Sequence, residues 1–452
     1  MKKSLLMFNV FMFSGLLSMA QYWGVQSLGL PGGSRGVNDI SIVDANTVWV
    51  TCYDGSGANM NVIDFSRTTN GGVTWTAGLV GSDTTFAFSN ISAVSDSEAW
   101  VCTYDNIAQQ GGALWHTVDR GITWNQSGTG VIFDANSFPN FVHFKDQNNG
   151  FALGDPNSGY FEIYTTVDGG ATWTRTPQVN TPTPLSGEFG IVNDFTVSGD
   201  TIWAGTNKGR ILRSVDYGLN WTAVVVAAIT RTVSDIAFTD HNNGLAVLYS
   251  GTTTFTYYLY KTVNGGTSWT QVTPVVGNWF KQNIANIPGT SYYISSSQDF
   301  STATSDGSSS SINAGSNWTT LDVGVQRGEI EFFDAITGWC GGFSDAITTT
   351  DGGIFKWSAG PVGIVPPALV KAESSAFPNP SNGLVSLKFK NNGMQEILLT
   401  LVNSIGELIF QEKIKNTFLV NKSFDFSHLP KGMYMINLNT GSERITEKLI
   451  IQ

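Results

Sequence analysis

The chain has little of what most often carries chemistry or scaffolding. Cys52, Cys102 and Cys340 are its three cysteines in 452 residues. A set that odd and sparse excludes a disulfide framework. Small buried core residues are the plain reading of all three, and a single Cys52–Cys102 bridge is the covalent alternative. The four histidines, His116, His143, His241 and His428, lie in different segments. None has a second ligand at metal spacing. H-E-x-x-H, a Walker loop and paired C-x-x-C are absent, so metal and nucleotide chemistry lacks a sequence basis. The one G-x-S-x-G, Gly32 to Gly36, is not followed by a helical pattern and fails as a nucleophile elbow. Basic residues are scarce too: residues 21–370 hold 13 Lys and Arg against 28 Asp and Glu, a net charge of −15. Such a surface repels phosphate backbones and excludes nucleic acid as a partner.

Long apolar runs are nearly absent. The exception spans Ser4 to Leu17, after Lys2-Lys3 and before Ser18-Met19-Ala20. That order is a signal peptide over residues 1–20, with cleavage expected between Ala20 and Gln21. A retained N-terminal anchor is the alternative. No later run is apolar and long enough to span a bilayer, so no transmembrane segment remains after cleavage.

What the chain has in plenty is repetition. A short box recurs: R-T-T-N-G-G-V-T-W (67–75), H-T-V-D-R-G-I-T-W (116–124), T-T-V-D-G-G-A-T-W (165–173), R-S-V-D-Y-G-L-N-W (213–221), K-T-V-N-G-G-T-S-W (261–269) and S-I-N-A-G-S-N-W (311–318). Its acid or amide is Asn70, Asp119, Asp168, Asp216, Asn264 and Asn313. Its tryptophan is Trp75, Trp124, Trp173, Trp221, Trp269 and Trp318, in steps of 48 or 49. An irregular last copy carries Asp351 ahead of Trp357. Upstream of each box stands a strand–turn–strand signature such as V-N-D-I-S-I-V-D-A-N-T-V-W-V (37–50), in seven copies. A fixed period means one supersecondary unit used repeatedly. Four strands in about 48 residues, seven times, predict a seven-bladed β-propeller over residues 21–360. In the box, short polar side chains bond the backbone of their own turn and glycine supplies positive φ, so its acids are read as structural. One strand, Tyr22 to Gln26, has no unit of its own. It is expected to pair with the last blade and close the ring, removing an exposed edge.

Residues 361–375 read as a proline-rich linker. Beyond it the period vanishes and short alternating strands predict a small C-terminal β-sandwich over 376–452. The fold class is all-β throughout.

The boxes resemble bacterial neuraminidase repeats, and the whole unit is similar to the photosystem II assembly and stability factor propellers. The resemblance covers most of 37–357. It implies boxes on the rim, away from ligand sites, and it leaves function open, because sialidases, xyloglucanases and non-catalytic proteins share the box. The sialidase pattern fails here: the F/Y-R-I-P motif is missing, and arginines near strand starts are only Arg35, Arg231 and Arg327. The C-terminal segment resembles the type IX secretion sorting domain of Bacteroidetes. The matching residues are F-P-N-P-S-N-G with Pro378, Asn379, Pro380 and Gly383, N-S-I-G with Gly406, L-P-K-G-M-Y with Gly432 and Tyr434, and Lys448 near the end. This implies handling by the type IX machinery and a product secreted or held on the outer cell surface, via the periplasm.

Aligning the seven inner strands gives candidate site residues. Asp39, Asn90, Phe141, Asp194, Asp235, Asn283 and Glu329 precede the first apolar position. Ser41, Ser92, His143, Thr196, Ala237, Ala285 and Glu331 follow two residues on, facing the same side. The structural expectation is that Asp and Asn cap the preceding loop. The functional one is a polar ring at a channel mouth that binds a sugar, or calcium as the one cofactor it would suit. Glu329, Glu331 and Asp39 would be the carboxylates of a glycoside hydrolase. Loops entering the inner strands carry Phe86, Phe88, Phe133, Phe138, Phe189, Trp279 and Phe280. These are expected either as an exposed platform for a glycan or protein partner, or packed onto the blade below.

Overall fold

The computed structural model describes residues 22–30, 33–55, 61–82, 85–128, 130–273, 277–298, 305–344, 353–358, 375–390, 397–403, 407–414, 419–439 and 444–452. The cleavage pair Ala20 and Gln21, the linker residues 361–374, Asp351 and Gly406 lie outside them. Strands dominate. The one helical turn among the described residues is the short Gln178–Asn180.

Seven antiparallel sheets lie between residues 23 and 357. Their innermost strands are Arg35–Ile42, Phe86–Ala93, Pro139–Phe144, Gly190–Ser198, Thr232–Phe238, Asn283–Asn286 and Ile330–Phe332. Each touches the innermost strand of the next sheet, and the last touches the first, so the sheets form a closed propeller. The second to sixth sheets run outward in chain order, and so does the first apart from Phe343–Ser344, which pairs onto the start of Arg35–Ile42. Their apolar residues alternate, and the inward faces of consecutive sheets share a core. Trp100 and Leu114 of the second sheet, for example, pack with Phe144 and Trp173 of the third. Trp49, Trp100, Trp203 and Trp339, all on second strands, are fully buried. Trp49 Nε1 donates to Ser95 O at 3.0 Å and Trp203 Nε1 to Gly265 O at 3.0 Å, so each indole reaches into the next sheet.

The box turns repeat one hydrogen-bond pattern six times. In the second sheet, Thr117 Oγ1 accepts from Gly121 N–H at 2.9 Å and donates to Asp119 Oδ1 at 2.9 Å. Asp119 Oδ1 also accepts from Thr123 N–H at 2.9 Å. The Thr68–Asn70, Thr166–Asp168, Ser214–Asp216, Thr262–Asn264 and Ser311–Asn313 turns do the same. The glycine accepting this role needs positive φ, as in Gly72 at +83° and Gly170 at +83°.

The seventh sheet is built from both ends of the repeat region. Trp23–Ser27 pairs antiparallel with Gly353–Trp357, with Trp23 opposite Trp357 and Ser27 opposite Gly353. This is the closure expected from the unpaired N-terminal strand. Side chains lock it. Trp23 is fully buried, its Nε1 donates to Ser308 Oγ at 3.0 Å, and Ser308 Oγ donates to Asp322 Oδ1 at 2.6 Å. Asp322 Oδ2 then accepts from Arg327 Nε at 2.9 Å. Gln26 Oε1 accepts from both Trp75 Nε1 at 3.2 Å and Trp339 Nε1 at 3.0 Å, tying the first sheet to the seventh.

The C-terminal residues form a three-stranded sheet, Ser375–Phe377, Leu384–Lys390 and Leu419–Asp425, and a four-stranded sheet, Leu408–Ile414, Ile397–Asn403, Gly432–Asn439 and Arg444–Ile451. One core holds both: Val385, Leu387 and Phe424 pack with Leu399, Ile436 and Leu449. Asn379 reaches the last strand, donating to Lys448 O and accepting Ile450 N–H at 2.9 Å. Tyr434 OH donates to Pro430 O at 2.7 Å. Gly383 sits at φ +103°, where a Cβ would lie 2.3 Å from Ser427 Cα.

Closure by a buried tryptophan makes a direct prediction. Trp23→Ala removes a fully buried indole and should cost about 3–5 kcal/mol, read as a large drop in the thermal melt of the first 360 residues. A melt matching wild type would mean that this strand does not hold the ring.

Candidate functional site

The innermost strands enclose a central channel of about 1040 Å³. Asp39, Asn90, Asp235, Asn283 and Glu329 line it, together with Ser41, Ser92, His143, Thr196, Ala237, Ala285 and Glu331. Phe141 and Asp194 do not.

An innermost strand is a sheet edge, so alternate N–H groups have no ladder partner. The preceding sheet supplies acceptors. Asp39 Oδ2 accepts Ile91 N–H at 2.7 Å, and Ser41 Oγ accepts Ala93 N–H at 2.9 Å. Asn90 Oδ1 accepts Val142 N–H at 2.9 Å while its Nδ2 donates to Val142 O at 2.8 Å. Ser92 Oγ accepts Phe144 N–H at 2.9 Å, and Asp235 Oδ2 accepts Ile284 N–H at 2.5 Å. The structural expectation for these residues is therefore met with a different partner: they bond the next sheet's strand, not the preceding loop.

The pattern breaks at the fourth sheet. Phe141 stacks on Phe195 with centroids 4.3 Å apart. Asn193 takes φ +58° and donates across the channel to Asp39 Oδ1 at 3.0 Å. Asp194 turns away and is buried with neither carboxylate oxygen bonded. Its Oδ2 occupies the space beside Gly205, 1.7 Å from where a Cβ would stand. Thr51, Cys102, Val247 and Ser296 stand opposite Asp39, Asn90, Asp235 and Asn283, and each carries a side chain where Gly205 has none. Gly205 makes room for Asp194, which leaves the expected ring. Asn193, like Asn38, Ser234 and Asn286, is a channel residue outside the aligned positions.

Burial dominates the electrostatics. It pushes the Asp39 carboxyl up to about 6 and Asp235 to about 7, against the lowering effect of their backbone bonds. Burial and the Asp235 charge hold Asp194 well above the carboxylate range. Glu329 is raised by burial, then by Asp235, Asp39 and Glu331. Glu331 opens to the channel and is raised to about 8 by the enclosing walls, Asp39 and Asp235. His143 is a bonded channel histidine: its Nδ1 lies 2.9 Å from Tyr217 OH, and burial and Lys145 lower it to about 4. The rim acids behave oppositely, since hydrogen bonds from Thr123 and Thr172 lower Asp119 and Asp168. Among the described residues no three His, Cys, Asp or Glu groups converge to hold a metal.

Two other expectations are corrected. Trp279 and Phe280 are not an exposed platform. They are 8% and 2% exposed, with Trp279 stacked on Trp318 at 6.5 Å. The tryptophan of the same sheet's box packs on Trp279, and the Phe280 ring lies beside Gly307. Phe88 and Phe133 are buried too, whereas Phe189 is 44% exposed. Cys52, Cys102 and Cys340 are all buried and free, so no Cys52–Cys102 bridge forms.

Fold and site together define a β-propeller carrying a C-terminal sorting domain. Residues 375–452 match the secretion system C-terminal sorting domain family, which directs the chain through the type IX system to secretion or the outer surface. No helix among the described residues is long and apolar enough to cross a membrane. Two solved structures give the fold. The chain is similar to YCF48 from Cyanidioschyzon merolae, with 18% identity and a TM-score of 0.50, over 74% of this chain and 98% of that one. It is also similar to an ancestral GH74 enzyme, with 13% identity and a TM-score of 0.50, over 95% of this chain and 64% of that one. No curated protein sequence matches the chain.

The raised carboxyls set a pH dependence. A folded pKa above the unfolded one leaves the proton on the folded chain after the unfolded chain has lost it. That stability is present at low pH and is lost as pH rises through the folded pKa. Asp235, at about 7, and Glu331, at about 8, spread that loss from the ordinary carboxylate range near 4 up to about pH 8, where both states are ionised and it ends. His143 acts in the opposite sense between about 4 and 6.5 and offsets part of the loss there. Melting temperature should fall between about pH 6.5 and 8, and Glu331→Gln should flatten the fall; an unaltered slope would remove Glu331 as its source.

Proposed function

We propose that this chain is a secreted or cell-surface, non-catalytic propeller that binds a glycan or protein partner through its central channel. One observation carries the reading: two of the channel acids, Asp39 and Asp235, are already bonded. Asp39 holds two backbone N–H groups and the Asn193 amide, and Asp235 holds Ile236 and Ile284 N–H. A base or nucleophile needs a free lone pair on the reacting atom. Freeing either would leave buried N–H groups unpaired, at about 1–3 kcal/mol each. Beside Glu329 and Glu331 the channel presents amides and hydroxyls, from Asn38, Asn286, Thr196 and Ser234, of which Asn38 also donates to Ser89 O and Ser234 to Val247 O. Those groups suit the hydroxyls of a sugar or the backbone of a peptide. After export the sorting domain is removed and the propeller is the working product.

A second reading has one observation in its favour. Glu331, raised to about 8, holds its proton at neutral pH as a glycoside hydrolase's general acid must. Glu329 or Asp39 would then be its counterpart. The assembly-factor reading rests on likeness of fold alone.

Retention on a polysaccharide panel, scored together with reducing-end release, separates these readings. Retention without release is expected. Release that is lost in Glu331→Gln would make the protein a hydrolase. If nothing is retained, capture of a surface protein from the producing cell is the remaining support, and its failure would end the binding reading.

A further inference from the structure

A second cavity, of about 1110 Å³, lies between the fifth and sixth sheets and away from the acidic ring. Only Asn283 lines both spaces. Its walls are the loop before Thr256–Thr262 and the segment that enters Asn283–Asn286.

Three observations define its chemistry. First, it presents aromatic faces. Phe255 is 49% exposed and belongs to an aromatic group with Tyr249 at 5.1 Å and Tyr257 at 6.4 Å. Second, it presents donors that the protein leaves unused. Gln282 gives its Oε1 to Gln298 N–H at 2.7 Å, and Gln298 gives its Oε1 to Tyr53 OH at 3.2 Å. Those bonds fix which end of each amide is oxygen, and neither Nε2 has an acceptor among the described residues. Trp279 Nε1 is buried without an acceptor as well. Trp100 and Trp124 share that lack, but neither lines this cavity. Third, among the described residues the lining has no carboxylate or guanidinium, and the one charged side chain described there, Lys281, is exposed.

A buried N–H without an acceptor favours any ligand that brings one. An aromatic face favours a ligand with an apolar side. A described lining whose single charge, Lys281, is held out in solvent gives an ion little desolvated support. A pyranose meets all three demands, since its C–H face packs on a ring and its hydroxyl oxygens accept from N–H groups. We infer that the cavity between the fifth and sixth sheets binds a neutral oligosaccharide. This rests on the binding reading above, and it gives that reading a second site and a ligand class. It also gives Trp279 a role as wall and donor where the sequence suggested a platform.

The test uses the full chain with three soluble probes: cellohexaose, mannohexaose and the acidic hexagalacturonate. Binding is read by saturation-transfer NMR and by titration. At least one neutral probe should bind in preference to the acidic one. Phe255→Ala, at an exposed position, should weaken it roughly tenfold. Trp279→Phe, which keeps an aromatic ring and removes the N–H, should weaken it by a smaller factor; Phe255→Ala should melt with wild type, and Trp279→Phe, at a buried position, is read at a temperature well below its own melt. Val167→Ala, on an exposed box turn, should leave binding unchanged. No neutral binding, a preference for hexagalacturonate, or neutral binding indifferent to Phe255→Ala would each overturn the inference. If neutral binding is lost in Glu331→Gln but kept in Phe255→Ala, the sugar sits in the channel. This inference then falls while the binding reading stands.

Discussion

Every innermost strand of a propeller is an edge, and the ring depends on how the outward N–H groups of that edge are satisfied. Here side chains of the preceding sheet do it. Asp39 and Ser41 serve Ile91 and Ala93, and Asn90 and Ser92 serve Val142 and Phe144. Two positions, two residues apart, face the same way along a strand, so one pair of acceptors matches one pair of donors. Between the seventh and first sheets the backbone itself takes over: Val37 N–H bonds Gly342 O at 3.2 Å, and Phe343–Ser344 pairs with Arg35 and Gly36. Polar residues line the channel because edge strands need acceptors. Their acidity is first a matter of architecture, and this is why acids counted along the channel overstate the chemistry available there.

The outer rim solves a different problem with the same kind of group. A box turn must reverse the chain and fix its own backbone without help from a neighbour. A threonine or serine hydroxyl and an acid or amide two residues on provide a closed set of short bonds. Rim acids are exposed and lowered, whereas channel acids are buried and raised. One residue type thus appears in two electrostatic states, set by whether water or protein surrounds it.

Much of this was legible in the sequence, because each sheet is one repeat and touches only its neighbours. The period located the sheets, the unpaired Tyr22 to Gln26 stretch located the closure, and F-P-N-P-S-N-G located the turn whose Asn379 clasps the last strand. The illegible parts depend on side chains across a gap. V-N-D-F at 192–195 reads like V-N-D-I at 37–40, yet Asp39 serves the next sheet and Asp194 does not. The difference lies on another strand, in Gly205. Trp279 and Phe280 read as loop residues because they follow a variable segment, and they are buried because Trp318 stacks on the first and Gly307 leaves room for the second.

Closure sets an order on folding. The bond from Trp23 to Ser308 spans 285 positions, and Trp23 also faces Trp357 across the ladder. Contacts so distant in sequence gain nothing until the intervening loop has closed, which makes them late and slow. The second to sixth sheets each complete from a continuous stretch of chain, and the first lacks only the short Phe343–Ser344 pairing. The seventh cannot complete until residues 353–357 are present. Until then both the N-terminal strand and the sixth sheet's flank expose edges and apolar surface, the features that invite misassembly. Gln26, which bonds Trp75 at the start and Trp339 near the end, lets a single side chain register both sides of the seam at once. The sorting domain begins only at residue 375, after the last strand of the ring. Synthesis therefore delivers every strand of the propeller before it delivers the segment that addresses the chain for export.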